Sequence, residues 1–399
     1  MAIFDKFRYV AATLQGLEDC GVASINVVME RVISASEAIV NGRRTILAGT
    51  NNYLGITFDE ESIQAACKAL QEEGTGTTGS RMANGTYSGH IALERELAEF
   101  FDRRGAIVFS TGYVANLGML AALAGPEDVI LIDSDCHASI YDGCRLGGAQ
   151  FFLFRHNDAN DLEKRLRRLG DRSVNTLIVV EGIYSMMGDR AKLAGIAAVK
   201  NKYGACLLVD EAHSVGVLGD LGRGLAEEAA VEKDVDFIVG TFSKSLGSIG
   251  GFCVSNHPEL ELIRCASRPY IFTASPSPSV IASTRAALKI LRTRPELRSR
   301  LWENARNLYL RLSDMGFILG PEPSPIISVG LGDNKTAVGF WRDLLERGVY
   351  VNMALPPATP DGKPLLRCSV SAAHTPEQLD YVCETFDSLR AAAEAVETD

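Results

Sequence analysis

From about residue 46 to residue 275, short apolar runs alternate with longer amphipathic ones. Seven runs read as strands: Ala106–Phe109, Val129–Ile132, Phe151–Phe154, Leu177–Val180, Cys206–Val209, Phe237–Val239 and Phe252–Val254. Each is brief and apolar on both faces, and most are closed by Gly, Asp, Glu or Ser. That is the pattern of a largely parallel sheet covered by helices on both sides. Before this region, Val27, Val28, Val32 and Ile33 recur at helical spacing ahead of a polar turn at Asn41-Gly42. This predicts a helix and then a strand.

Beyond Pro276 the pattern changes. Residues Val280–Leu312 carry a long helical period that Pro295 breaks in two. Two strand-like segments follow, Ile326–Val329 and Leu365–Val370, then a helix from Pro376 to the end. The expected organisation is an N-terminal segment (1–45), a large α/β domain (46–275) and a smaller α+β domain (276–399). No internal repeat or low-complexity tract interrupts it.

Composition narrows the function. The chain has 399 residues, 46% of them hydrophobic, enough for a large core, and its net charge is −10. An acidic chain repels phosphate backbones, which argues against nucleic acid as a partner. The nine cysteines are scattered without CxxC spacing. Several lie in apolar runs, Cys206 and Cys253 among them, as buried free thiols in a reducing cytosol would. No apolar run has the length of a signal peptide or a membrane span. A cytoplasmic enzyme is the expectation.

In parallel sheets ligands bind where strands end, so chemistry is sought there. Asp210-Glu-Ala-His213 follows the Cys206–Val209 run. A carboxylate at that point can pair with a pyridinium nitrogen and keep the ring protonated, and His213 can reach a phenolic oxygen. Asp-Glu-Ala-His also occurs in helicases, but those need a GxxxxGK[ST] loop that this chain lacks. An N-cap aspartate with a structural histidine is the bland alternative. After Phe237–Val239 comes Gly240-Thr-Phe-Ser-Lys-Ser-Leu-Gly247. A lysine among hydroxyls and glycines suits an amine that holds an aldehyde beside a phosphate, with Thr241 and Ser243 donating to the phosphate. A lone loop lysine is usually just solvated; its place one strand-helix-strand unit after Asp210 changes that weighting.

Upstream, Ser110-Thr-Gly112-Tyr113 follows a strand and opens a helix, whose free N–H groups bind phosphate. His137, in Asp133-Ser-Asp-Cys-His-Ala-Ser139, can stack on a flat ring. Asp135 and His137 as metal ligands lack a third partner, so no metal is expected. Ser185, in Glu181-Gly-Ile-Tyr-Ser-Met186, can support His213. Gly74-Thr-Gly-Thr-Thr-Gly79 has the GxGxxG pattern but follows a helical period rather than a strand. It reads as a substrate-facing loop, not a dinucleotide site.

Taken in order, Gly112-Tyr113, His137, Ser185, Asp210 to His213 and Thr241 to Lys244 resemble the α-oxoamine synthases, pyridoxal 5′-phosphate (PLP) enzymes of fold type I. The resemblance runs from about Asn26 to Phe386. Arg268-Pro-Tyr-Ile-Phe-Thr-Ala-Ser275, Glu181–Met186 and Pro356-Pro-Ala-Thr-Pro360 place the chain with members that use L-serine and a long-chain acyl thioester such as palmitoyl-CoA. Those members give 3-oxosphinganine, the first step of sphingolipid synthesis. The alternatives are sister activities such as glycine C-acetyltransferase or 8-amino-7-oxononanoate synthase. The resemblance implies that Lys244 holds the cofactor as a Schiff base and shuttles the substrate Cα proton. Asp210 would bind the ring nitrogen, His213 the phenolic oxygen, and His137 would stack on the ring. Gly112, Tyr113, Thr241 and Ser243 would surround ring or phosphate. Thr273 would reach the cofactor phosphate of a second subunit, since the family forms homodimers with sites at the interface. Asn52, Ser80 and Arg367 would face the amino acid. One departure stands out: Leu355 precedes the Pro-Pro-Ala-Thr-Pro loop where the serine-using members carry Arg, which leaves Arg367 to grip the carboxylate.

Overall fold

A computed structural model describes residues 2–19, 22 and 26–397. All seven expected strands are present: β1 (Gly105–Phe109), β2 (Val129–Asp133), β3 (Gln150–Phe154), β4 (Thr176–Glu181), β5 (Cys206–Asp210), β6 (Phe237–Thr241) and β7 (Gly251–Ser255). They form one sheet in the order β1-β7-β6-β5-β4-β2-β3. β7 runs antiparallel to both its neighbours, and the remaining pairings are parallel. Six strands, β1 to β6, therefore run the same way and end at one edge. Every residue of β2, β4, β6 and β7 is buried, which is why those runs show no polar alternation.

The chain divides into two compact units. One comprises 51–185 and 189–301 and contains this sheet; the other comprises 1–50, 186–188 and 302–399. The expected break at 275/276 therefore gives way to one near residue 301, inside helix Glu296–Asp314. Helix Pro278–Thr293 stays with the large unit because its apolar face, including Ile281, Leu288 and Leu291, is buried there. Its rim is charged: Arg285 pairs with Glu96 at 2.6 Å and Lys289 with Glu61 at 2.5 Å. Pro295 separates it from helix Glu296–Asp314, as the sequence predicts.

The N-terminal segment joins the second unit rather than standing alone. Its expected helix over Val27–Ile33 is absent: 26–29 has no regular structure, and Arg31–Val32 is a strand. The β-branched residues there favour strands, and a short apolar run fits either period. Arg31–Val32, Glu37–Val40, Arg43–Leu47 and Val349–Tyr350 form a sheet in that order. Asn41 and Gly42 both have positive φ, 49° and 71°, as a two-residue type I′ hairpin turn requires. A second sheet, ordered Ile318–Leu319, Ile326–Gly330, Leu365–Ser369, Asn352–Ala354, is antiparallel throughout. Phe317, Phe340 and Phe386 pack ring to ring at 5.5–6.0 Å in the core of this unit.

Eight described cysteines are free thiols; Cys20 lies outside the described residues. Five are buried as expected, Cys253 among them, but Cys206 is half-buried, and Cys67 and Cys265 are exposed. Among the described residues no helix is long and apolar enough to cross a membrane.

Candidate active site

The strand ends at the carboxyl edge enclose a cavity of about 270 Å³. Thr111, Gly112, Tyr113 and Asn116 line it from the segment after β1, and His137 and Ser139 from that after β2. Glu181 comes from the end of β4, Asp210, Ala212 and His213 from β5, and Thr241, Ser243 and Lys244 from β6. Eight of the residues singled out in the sequence thus meet: Gly112, Tyr113, His137, Asp210, His213, Thr241, Ser243 and Lys244.

Asp210 is 5% exposed and held from two sides. Its Oδ1 accepts from the Ala212 N–H at 2.9 Å, and its Oδ2 from Asn116 Nδ2 at 2.7 Å. The other Asn116 amide hydrogen goes to Ser139 Oγ at 2.9 Å, and Ser139 Oγ lies 2.8 Å from His137 Nδ1. One amide therefore sets the carboxylate and, through Ser139, the imidazole. On its other side the His137 backbone N–H donates to the Glu181 carboxylate. Desolvation lowers the His137 pKa, the Asp210 charge opposes that, and the Lys244 charge adds to it. A neutral imidazole is favoured, which suits a ring that packs flat. Burial pushes the Glu181 carboxyl well above the usual range, and neighbouring Asp210 adds to the rise. In this pair of register partners, Asp210 keeps its two donors while Glu181 tends to the protonated acid.

Tyr53 is fully buried, and its hydroxyl lies 2.8 Å from His213 Nδ1. That contact fixes the ring across 160 residues of sequence. Tyr113 sits edge-on to His137 at 6.3 Å and donates its hydroxyl to Asp142.

Helix Gly112–Leu123 begins with Thr111 as its N-cap, the Thr111 hydroxyl accepting from the Val114 N–H at 3.0 Å. A Cβ on Gly112 would meet Thr241 Cβ at 2.8 Å, so only glycine lets the helix start close on β6. Thr241 donates to the Gly250 carbonyl at 2.9 Å and so accepts from the Ser243 hydroxyl, also at 2.9 Å. Unpaired helix-start N–H groups, two hydroxyls and a lysine on one side suit a phosphate and an aldehyde. A buried carboxylate lining the same cavity suits a ring nitrogen. The residues present fit PLP.

Other expected site residues lie outside this lining. Ser185 is half-buried on the segment beyond Glu181. Asn52 Nδ2 donates to Thr57 Oγ1 at 2.8 Å. Ser80 forms an isolated antiparallel bridge with Ala274, and the Ser275 N–H donates to the Gly79 carbonyl at 3.0 Å. The glycine-rich loop and the segment bearing Thr273 are therefore tied together. Arg367 belongs to the second unit, where it is 6% exposed and donates to Ser369 Oγ at 3.0 Å. Asn116, Ser139 and Tyr53 escaped sequence reasoning because their spacing carries no motif. Glu181 was visible as the polar end of a strand, as Asp210 was.

Sheet order, strand-edge cavity and the lysine and aspartate that line it define a PLP-dependent enzyme of fold type I. Residues 44–386 match the family Aminotransferase class I and II. The serine palmitoyltransferase of Caulobacter vibrioides is 57% identical over 397 residues, covering 100% of this chain and 98% of its own. The solved serine palmitoyltransferase of Sphingomonas wittichii is 52% identical with a TM-score of 0.96, covering 98% of this chain and 99% of that one. A high-resolution serine palmitoyltransferase structure with PLP as internal aldimine is 51% identical with a TM-score of 0.95, covering 98% of each chain. An 8-amino-7-oxononanoate synthase from Lysinibacillus sphaericus stands further off, at 37% identity over 96% of this chain and 98% of its own. The chain belongs to the serine palmitoyltransferase family within that class.

Proposed function

We propose that the protein condenses L-serine with a long-chain acyl thioester such as palmitoyl-CoA, releasing carbon dioxide and the free thiol and giving 3-oxosphinganine. The observation that carries this reading is the strand-edge cavity in which Lys244, Asp210, His137 and His213 face one space of about 270 Å³. Lys244 would hold the cofactor aldehyde, Asp210 the ring nitrogen and His213 the phenolic oxygen. His137 would cover the ring, with Ser185 supporting His213. Gly112, Tyr113, Thr241 and Ser243 would receive ring or phosphate. When bound, PLP supplies a sink for the negative charge left at the substrate Cα.

The chain's own groups do the rest. The Asn116 amide and the Ala212 N–H keep the Asp210 carboxylate aimed, so no reorganisation is needed as charge develops. Lys244 Nζ takes the Cα proton and later returns one. His137, with Asn52, Ser80 and Arg367, would hold the serine carboxylate so that the Cα–H bond, not the Cα–carboxyl bond, breaks first. With Leu355 ahead of Pro356, the arginine contact falls to Arg367 alone. The protein would act in the cytoplasm as a homodimer with sites at the interface, Thr273 reaching the second subunit's cofactor phosphate. Contact with the inner membrane would be peripheral.

Purified holoenzyme offered serine or glycine with palmitoyl or acetyl thioester tests the reading. Carbon dioxide release and a long-chain ketone from serine plus palmitoyl thioester are expected. Preference for glycine with the acetyl thioester would transfer the protein to the glycine-using branch. The 37% identity of the oxononanoate synthase against 57% for the serine enzyme favours the first outcome. Lys244→Ala is expected to lose the visible Schiff-base band and turnover together; an unchanged spectrum would refute the lysine's role.

A further inference from the structure

Beside the cavity, the same sheet edge carries a second concentration of charge. His156, two residues past the end of β3, reaches over the ends of the next two strands. Its Nδ1 lies 2.8 Å from Asp133 Oδ1 at the end of β2, and its Nε2 lies 2.7 Å from Asp189 Oδ2. Asp135 stands 3.8 Å away, and the Tyr184 ring meets the imidazole edge-on at 4.5 Å. Asn157 repeats the reach. Its N–H donates to Asp133 Oδ2 at 2.9 Å, and its Nδ2 donates to Asp189 Oδ2 at 3.0 Å and to the Arg190 carbonyl at 2.9 Å. Asp133 is fully buried and Asp189 8% exposed.

With both carboxylates ionised, the proton count gives the charge. An ionised carboxylate only accepts, and a neutral imidazole has one N–H. Only the imidazolium can donate to Asp133 and Asp189 together. Desolvation lowers its pKa, but Asp133 and Asp189, hydrogen-bonded to the ring on either side, outweigh it and raise the pKa from 6.5 to about 10; Asp135 also faces the ring.

The segments tied by this cation carry cavity residues. Asp133 Oδ1 also accepts from the Asp135 N–H at 3.0 Å, shaping the turn that delivers His137. The Asp189 segment returns along β4's extension: Tyr184 N–H donates to the Asp189 carbonyl at 2.9 Å and Ala191 N–H to the Gly182 carbonyl at 3.1 Å. Gly182 N–H in turn donates to the Asp210 carbonyl at 2.8 Å. His137 N–H and the Glu181 carboxyl close the loop from inside.

We infer that His156, as an imidazolium, is a positioning residue: it clamps the segments bearing His137 and Glu181 and so fixes their part of the cavity wall. It acts through those residues and not on the reacting atoms. The inference rests on the cofactor-facing reading of His137 given above.

Two measurements test it. In ¹⁵N-histidine NMR of the wild-type holoenzyme at about pH 8, above the ordinary histidine range, His156 is expected to carry protons on both nitrogens. A neutral ring there overturns the inference, whether or not the protein condenses serine. His156→Gln has one donor and one acceptor face and cannot serve both carboxylates; His156→Arg restores a two-sided cation. The glutamine variant is expected to lose turnover by on the order of tenfold to a hundredfold, with weakened visible circular dichroism of the bound cofactor. The arginine variant recovers part of both. A glutamine variant equal to wild type, or an arginine variant no better than glutamine, overturns the role. If the glutamine variant does not fold, the NMR result decides.

Discussion

Asp210 shows how far a single position can be read. Its place at a strand's carboxyl end marked it in the sequence, as the same logic marked Lys244, His137, Thr241 and Gly112. What the sequence could not display is that Asn116, one helical turn into the helix after β1, holds Asp210 and Ser139 with its two amide hydrogens. Nor could it display Tyr53 behind His213. Such partners have no fixed spacing; folding alone brings them together. Replacing Asp210 with Asn keeps size and shape but removes the charge that pairs with a ring nitrogen. Turnover is expected to fall about a hundredfold to a thousandfold, as for loss of one preorganised electrostatic partner in a dry site. Steady-state rates on the cofactor-loaded variant check this, and near-normal turnover would dismiss the ring-nitrogen role.

At the scale of elements, the seven sheet strands were legible as short apolar runs, continuous where both faces are buried; β3, at the sheet edge, is apolar although mostly exposed. The helix break at Pro295 was legible because proline lacks the N–H that the helix needs. The first strands were not. Val27 to Ile33 fits both periods, and only pairing decided: Glu30 N–H donates to the Ile39 carbonyl at 2.9 Å and Ile33 N–H to the Glu37 carbonyl at 2.9 Å. The hairpin depends on its turn. Gly42 has φ 71° with open space around it, so Gly42→Ala meets no clash, only left-handed backbone strain. A loss of about 1–2 kcal/mol is expected, read as a lower urea midpoint with the same slope. No change would show that the turn relaxes to another type.

Across the whole molecule, a histidine in each unit gives stability a limb on either side of neutrality. His374 is buried in the unit that holds the N-terminal hairpin. Desolvation lowers its pKa from 6.5 to about 4, against a hydrogen bond to the Leu47 carbonyl that favours the charged form. The unfolded chain takes up its proton below 6.5 while the folded one resists. Stability from this site is present above 6.5 and drains away as pH falls toward about 4. His156 has the opposite sign: its contribution is complete below 6.5 and lost as pH rises through about 10. Urea unfolding across pH should show both limbs, His374→Gln flattening the acid one; an unaltered acid limb would place its origin elsewhere. The division into these units was only half legible. Apolar periodicity located the helices of residues 278–314 but could not say which layer their faces would cover.

β7 runs against β6, with Thr241 opposite Gly251 in register. The stretch bearing Lys244 is thus the tip of a tight reversal, braced by Phe242 N–H to the Gly250 carbonyl at 3.0 Å and Ser248 N–H to the Phe242 carbonyl at 2.9 Å. A crossover helix would have left slack; a reversal leaves none. With its base tied in this way, the amine is left to move between its tasks chiefly by torsions of its own four-carbon stem.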